Sequence, residues 1–373
     1  MAVYGLGLNN HYQSGPVSND SVSFSDVMGS PTPYPIDANN LFLISCGMYH
    51  TLFLLKDGRV FVNGNDSNYR IGHPKHGEYK EPTEFIFKEP IIWITCGGNY
   101  SCYLTESGRL IYSNEETNGP YHVKYDLPII YISGSAEVPV AIDEEGNVLI
   151  FEKNPKKPPQ KYTLPSPVFE IAAGITLVFV ITIDYKVYVK NIKDNSSFEV
   201  CADFEDIKII SIAGYLEHFL ALSLDGEVYS KGRNSHCQCG NGSTDSVGHF
   251  IHVKGELENI KVKKIAVGGW NSLCLTEDSK LYGFGLNTSY QMSKLKNENG
   301  QLYRNVPYPT LINCFDDEVS DFALGSEFSY YLTGGISFPH PGRDKYFPNE
   351  QASKSQLVKK LYTFLQFPND EEE

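Results

Sequence analysis

The sequence predicts an all-β fold: a seven-bladed β-propeller closed by its own N-terminal strand, with a short C-terminal helix. Three observations lead there. One pattern returns seven times along the chain. Each return reads as strands joined by tight turns, and no long stretch before residue 350 has helical periodicity. The last copy is cut short, and its missing piece stands at the N-terminus.

The pattern is plainest when "ISCGMYHTLFLLKDGRVFVNGND" (44–66) is set beside "ITCGGNYSCYLTESGRLIYSNEE" (94–116). Each copy has an apolar residue, a glycine, an apolar run, a turn and an aliphatic-aromatic pair. The first glycines are Gly47, Gly97, Gly134, Gly174, Gly214, Gly268 and Gly325, spaced 50, 37, 40, 40, 54 and 57 residues apart. The runs after them ("TLFLL", "VFVIT", "FLALS") suit buried strands. The turns "KDGR", "ESGR", "EEGN" and "LDGE" supply a glycine for positive φ, and a second strand follows. Two copies carry Tyr185 and Ser279 in place of that glycine.

Repeats of this length built only of strands make a propeller or a solenoid. The seventh copy stops at "YYLTGG" (330–335), and "VYGLGLNNHYQSG" (3–15) matches "LYGFGLNTSYQMS" (281–293) of the sixth. A split copy is of use to a closed ring, where a terminal strand covers an open sheet edge. The domain expectation is a propeller over 1–335, a connector over 336–352 with three prolines, and an amphipathic helix with an acidic tail over 353–373. In that helix Leu357, Leu361, Phe364 and Leu365 share helical spacing. It would pack on the propeller or dock on a partner.

A formal charge of −14 opposes binding to phosphate backbones, so no direct nucleic-acid contact is expected. No apolar run approaches the roughly 18 residues of a membrane span. "MAVYGLGLNN" lacks a basic start and a long apolar stretch, so no secretory signal is read. Eight cysteines without an export signal read as reduced thiols of a cytoplasmic or nuclear protein.

"SHCQCGNG" (235–242) raises a metal site, with His249 and His252 close behind. The repeat explains it without metal. Five residues after Gly7, Gly64, Gly232 and Gly285 stand Tyr12, Tyr69, Cys237 and Tyr290, so Cys237 fills a tyrosine column. Cys239 fills a column of Ser, Ile and Met. C-x-C with H-x-x-H also departs from the usual zinc spacings. His50 shares its column with Tyr100, Asn271 and Phe328, which favours a hydrogen-bonded structural role over a catalytic base. Gly5-Leu6-Gly7 has no helix after it and is not read as a phosphate loop. No nucleophile or metalloprotease motif is present, so no catalytic residue, metal or cofactor is assigned and no enzyme is expected.

The pattern resembles the repeat of the regulator of chromosome condensation family. Gly47, His50, Thr51, Asp57, Gly58, Gly64 and Gly72 carry the resemblance most fully. Gly214, Asp225, Gly226, Gly232, Asn234, Gln238 and Gly240 carry it again, and the third and fourth copies are degenerate. The resemblance implies a seven-bladed propeller. The activity it implies first is guanine nucleotide exchange on a Ran-type small GTPase, coupled to chromatin binding. It equally implies a binding module, as in ubiquitin ligases, trafficking proteins and enzyme inhibitors.

Exchange-active members place acidic residues and histidines after the first glycines. Here the second copy reads Gly97-Gly98-Asn99-Tyr100, and the third reads Gly134-Ser135-Ala136-Glu137, where only a shifted Glu137 could substitute. Phe328 stands where the seventh copy of those members has histidine. Only 16 residues separate Tyr112 from Ile129, too few for their protruding wedge. Their basic tail is not expected here. The reading is therefore a non-enzymatic scaffold, expected to be a monomer. It binds a protein partner, with a small GTPase or a ubiquitin-ligase component as the classes implied. The family pattern places Tyr49, Asn99, Ala136, Thr176, Leu216, Trp270 and Glu327 around one face. Tyr49, Asn99, Glu137, Trp270 and Glu327 are the partner-binding candidates. The two aromatics could anchor an interface or pack between blades.

Overall fold

Seven four-stranded antiparallel sheets follow one another in a computed structural model that describes residues 2–15 and 27–335. The expected connector and C-terminal helix lie outside the described residues. Among the described residues the helical content is two short 3-10 turns, Ala202–Phe204 and Gly255–Leu257.

Each blade has four strands, two more than the sequence pattern marked out. In the first blade these are Leu41–Cys46, His50–Leu55, Val60–Asn65 and Glu78–Phe85, in that spatial order. The additional strands are the first, which ends at the repeat glycine, and the fourth. The first strand is innermost: Leu41–Cys46 neighbours Ile91–Cys96 of the second blade and Val319–Leu324 of the seventh, and the same adjacency runs around all seven. That closed circuit is the ring. Leu41–Cys46 is apolar on both faces because both pack against neighbouring blades. The fourth strands lie outermost and are more polar, as Glu78–Phe85 shows.

The seventh blade closes the ring with two N-terminal strands. Its sheet order is Val27–Pro33, Ala2–Leu8, Phe328–Thr333, Val319–Leu324. Ala2–Leu8 pairs on both edges, with Val3 opposite Leu332 and Tyr4 opposite Pro33. Val3 and Leu6 are fully buried.

The turns without glycine take the same backbone shape as those with it. Tyr185 and Ser279 both have φ +63, beside +85 at Gly58 and +86 at Gly226. A register shift also recurs between the first and second strands of every blade, as at Leu41/Leu43 and Ile91/Trp93. Such a bulge increases local twist.

Hydroxyls stitch neighbouring blades. Thr51 Oγ1 donates to Gln13 O at 2.9 Å, Ser272 Oγ to Gln238 O at 2.9 Å and Ser329 Oγ to Gln291 O at 2.5 Å. Each bond ties a second strand to the loop of the preceding blade. This is the physical content of the His-[Ser/Thr] step in the repeat.

Candidate protein-interaction face

Successive strands of a blade run antiparallel, so the loops after its first and third strands emerge at the same end of the ring. The first-strand loops surround the axis and are joined by backbone bonds. Ser326 N–H donates to Gly47 O at 3.2 Å, Gly98 N–H to Ala136 O at 3.0 Å and Ile175 N–H to Leu216 O at 2.7 Å. Gly269 N–H donates to Ser326 O at 3.2 Å. The repeat glycines permit this approach: a Cβ on Gly47 would lie 2.6 Å from Gly97 O.

The third-strand loops form the outer rim. Their lock is an Asn or Asp two residues after the glycine. Asn9 Oδ1 accepts Ser14 N–H at 2.9 Å, Asn234 Oδ1 accepts Cys239 N–H at 2.8 Å and Asn287 Oδ1 accepts Met292 N–H at 3.0 Å. Asp66 does the same with Ile71 N–H at 2.7 Å. Cys237 has φ +63, matching Tyr12, Tyr69 and Tyr290 at 63, 52 and 55, so it occupies the tyrosine place of this loop. Burial raises the pKa of Cys237 and lifts that of Cys239 to about 12. Among the described residues no three His, Cys, Asp or Glu side chains come together as a metal site.

His50 and His218 are buried at the starts of second strands. Their Nε2 atoms meet Ser101 Oγ at 2.9 Å and Ser272 Oγ at 3.1 Å in the next blade. Burial, and for His50 the nearby Arg70 charge, lowers their pKa values to about 3 and about 4. They are fully buried, neutral braces. Tyr100 is likewise buried, its hydroxyl donating to Ser135 O at 3.0 Å.

The five partner-binding candidates lie on loops of this one face. The loops carrying Trp270, Glu327 and Tyr49 are consecutive, linked by the Gly269–Ser326 and Ser326–Gly47 bonds. Trp270 is half-buried with its ring edge toward His236 at 6.2 Å. Glu327 accepts from Ser289 Oγ at 2.8 Å. Tyr49 is half-buried between His11 at 5.2 Å and the Arg70 guanidinium at 5.3 Å. Asn99 is exposed, and Glu137 pairs with Lys153 at 3.7 Å. Asn99 and Glu137 lie on the next two loops around the ring, the first of which abuts the Tyr49 loop where Gly97 meets Gly47. Sequence reasoning passed over Arg70, whose signal was an arginine in a column otherwise holding Gln13, Gln238 and Gln291.

Two models of the regulator of chromosome condensation (RCC1) repeat match the chain, one at residues 57–104 and 225–275, the other at 43–70 and 262–291. Human HERC6, a probable E3 ubiquitin-protein ligase, is 35% identical over 82% of this chain and 29% of its own length. The mitochondrial RCC1 domain-containing protein RUG3 of Arabidopsis thaliana is 25% identical over 82% of this chain and 66% of its own. The chain thus spans less than two thirds of both. Among solved structures, Prp20p of Saccharomyces cerevisiae superposes with a TM-score of 0.75 at 18% identity, over 92% of this chain and 93% of that one. It was described with its binding to Gsp1p and histones. Human WBSCR16 gives a TM-score of 0.75 at 14% identity, over 90% and 99% of the two chains. These two likenesses show the shared fold.

Proposed function

We propose that this chain, an RCC1-like repeat protein, is a non-enzymatic scaffold that binds a protein partner through its loop-bearing face. The observation that carries the reading is the arc of half-buried Trp270, hydroxyl-held Glu327 and half-buried Tyr49 on three consecutive, backbone-linked loops. A rigid frame lowers the ordering cost of association, and half-buried aromatics are frequent interface anchors. HERC6 makes a ubiquitin-ligase component a fitting partner class, and the protein would act as a monomer in the cytoplasm or nucleus.

The competing reading is guanine nucleotide exchange on a Ran-type GTPase, favoured by the likeness in fold to Prp20p. Two placements speak for the scaffold instead. Where the resemblance implies loop histidines, the chain holds Tyr100 and Phe328. Tyr100 is moreover bonded between blades. Two assays separate the readings. Purified protein should leave nucleotide release from a Ran-type GTPase unchanged at sub-stoichiometric amounts. Affinity capture followed by mass spectrometry should return a partner that the folded Tyr49→Ala/Trp270→Ala double variant fails to hold. Strong acceleration of nucleotide release would overturn the scaffold reading.

A further inference from the structure

The third-strand loop of the sixth blade, residues 287–304, folds back on itself as a small ribbon. Lys296 and Leu302 pair antiparallel. One step to either side, Tyr303 N–H donates to Leu295 O at 3.0 Å and Asn297 N–H to Gln301 O at 2.8 Å. Asn297 Oδ1 closes the tip by accepting the N–H groups of Asn299 and Gln301 at 3.0 and 2.9 Å. The same register places Lys294 opposite Arg304. Side chains alternate between the two faces of such a ribbon. Leu295 and Tyr303 take the inner face and pack on the core between the sixth and seventh blades. Lys294, Lys296, Leu302 and Arg304 take the outer face, and all four are exposed.

That outer face is costly as it stands. Like charges directly opposite each other destabilise a strand pair, and here a lysine faces an arginine. Leu302 beside them is 43% exposed. Among the described residues none of the three cations forms an ion pair. Glu298, the one carboxylate of the loop, stands in the tip. By contrast Lys153, Lys157 and Lys161, from the chain's denser basic stretch, each face a carboxylate, at 3.7, 2.7 and 3.1 Å. The whole chain carries −14, so a bare cationic ribbon runs against its charge. The ribbon also belongs to the partner-binding end. Leu286 N–H, at its base, donates to Trp270 O at 2.8 Å.

We propose that the outer face of this ribbon docks an acidic segment of a protein partner, with Leu302 meeting an apolar side chain of the same segment. Charge decides the occupant: three unpaired cations on one small face call for carboxylates, which relieve the Lys294–Arg304 repulsion as they bind. The ribbon is already hydrogen-bonded and anchored by Leu295, so little backbone ordering is left for association. The seven loops around the axis hold Glu137, Glu217 and Glu327 and no lysine or arginine, which turns an acidic segment outward to the ribbon. The proposal rests on the scaffold reading and adds to it the partner's charge and the blade that meets it.

The probe is fluorescein-Gly-Glu-Glu-Leu-Glu-Glu-Gly-amide, titrated with the full chain and read by fluorescence anisotropy. Binding should saturate, and should weaken several-fold between about 0.05 and about 0.3 M sodium chloride. Lys294→Glu/Lys296→Glu/Arg304→Glu alters exposed positions only, so it should fold and weaken binding about 10-fold or more. Lys88→Glu/Lys208→Glu/Lys261→Glu makes the same charge change at exposed positions of the opposite end and should leave binding unchanged. Leu302→Ser should weaken it several-fold. No saturable binding, or equal weakening by the two triple variants, would overturn the site. So would a several-fold gain on removing residues 368–373, which would assign the ribbon to the chain's own acidic end. Partner capture keeps the two readings apart. Capture lost in Tyr49→Ala/Trp270→Ala but kept in the ribbon triple variant overturns the ribbon and leaves the scaffold reading standing. Peptide binding that follows the ribbon while no partner is captured supports the ribbon and fails the scaffold reading.

Discussion

Removing residues 1–10 should undo the ring. The deletion takes out Ala2–Leu8, which pairs with Phe328–Thr333 on one edge and Val27–Pro33 on the other. Val3 and Leu6 are 1% and 0% exposed, and burial of each contributes roughly 1.5–3 kcal/mol. The side chains alone thus account for about 3–6 kcal/mol, against a total domain stability of about 5–15 kcal/mol. Further losses follow. Tyr34 N–H loses its bond to Val3 O, 2.8 Å long, and Tyr34 itself stacks on Phe53 at 4.6 Å. Phe328–Thr333 would become an open edge available to other chains. Thermal denaturation with size-exclusion chromatography reads both effects: the truncated chain should melt far earlier or elute as aggregate. Leu6→Ala, a milder change, should cost about 2–5 kcal/mol. A truncated chain that stays monomeric with an unchanged melting curve would refute closure by this strand.

Four further outcomes are expected. His50 and His218 have depressed pKa values of about 3 and about 4, so the unfolded chain takes up protons first as pH falls below 6.5. Stability is full above that pH and should fall by about 2 kcal/mol per histidine by pH 5; urea melts across pH 5–7 should show a smaller drop in His218→Gln. Gly58→Ala should destabilise by about 1 kcal/mol or more, because φ is +85 and the added Cβ would stand 2.9 Å from Pro90 Cβ. Ser279→Gly, at φ +63, should instead be neutral to about 1 kcal/mol stabilising in the same melts. Trp270→Ala should leave the melting temperature nearly unchanged and weaken partner capture by about 2 kcal/mol or more, since the ring is half-exposed; a melting temperature that falls with no loss of capture per folded molecule would make Trp270 structural.

The ring was legible because its units repeat. The glycine columns located every blade, and the likeness of 3–15 to 281–293 placed the N-terminal segment in the seventh. The innermost strands were not marked out. Leu41–Cys46 is buried on both faces, so it has no alternation to distinguish it from the run beside it. The bulge in each blade left no mark either, since it is a backbone register shift compatible with varied side chains. The columns also placed Cys237, which takes the backbone shape of the tyrosines it replaces. The face was read from the family pattern, but Arg70 was not, because its contacts, the Tyr49 ring and Ser67 Oγ, come from two loops that only the fold brings together.

Cross-linking mass spectrometry of the captured complex with an amine-reactive reagent tests the interaction face most directly. Lys75, Lys153 and Lys294 lie on the loop-bearing end, whereas Lys56, Lys186 and Lys280 lie on the hairpin turns at the other end. Lys153, Lys186 and Lys280 have side chains 66%, 62% and 55% exposed, so reactivity alone does not favour either end. Links from the partner should concentrate on Lys75, Lys153 and Lys294. Links concentrated on Lys56, Lys186 and Lys280 would place the partner on the opposite face and contradict the account.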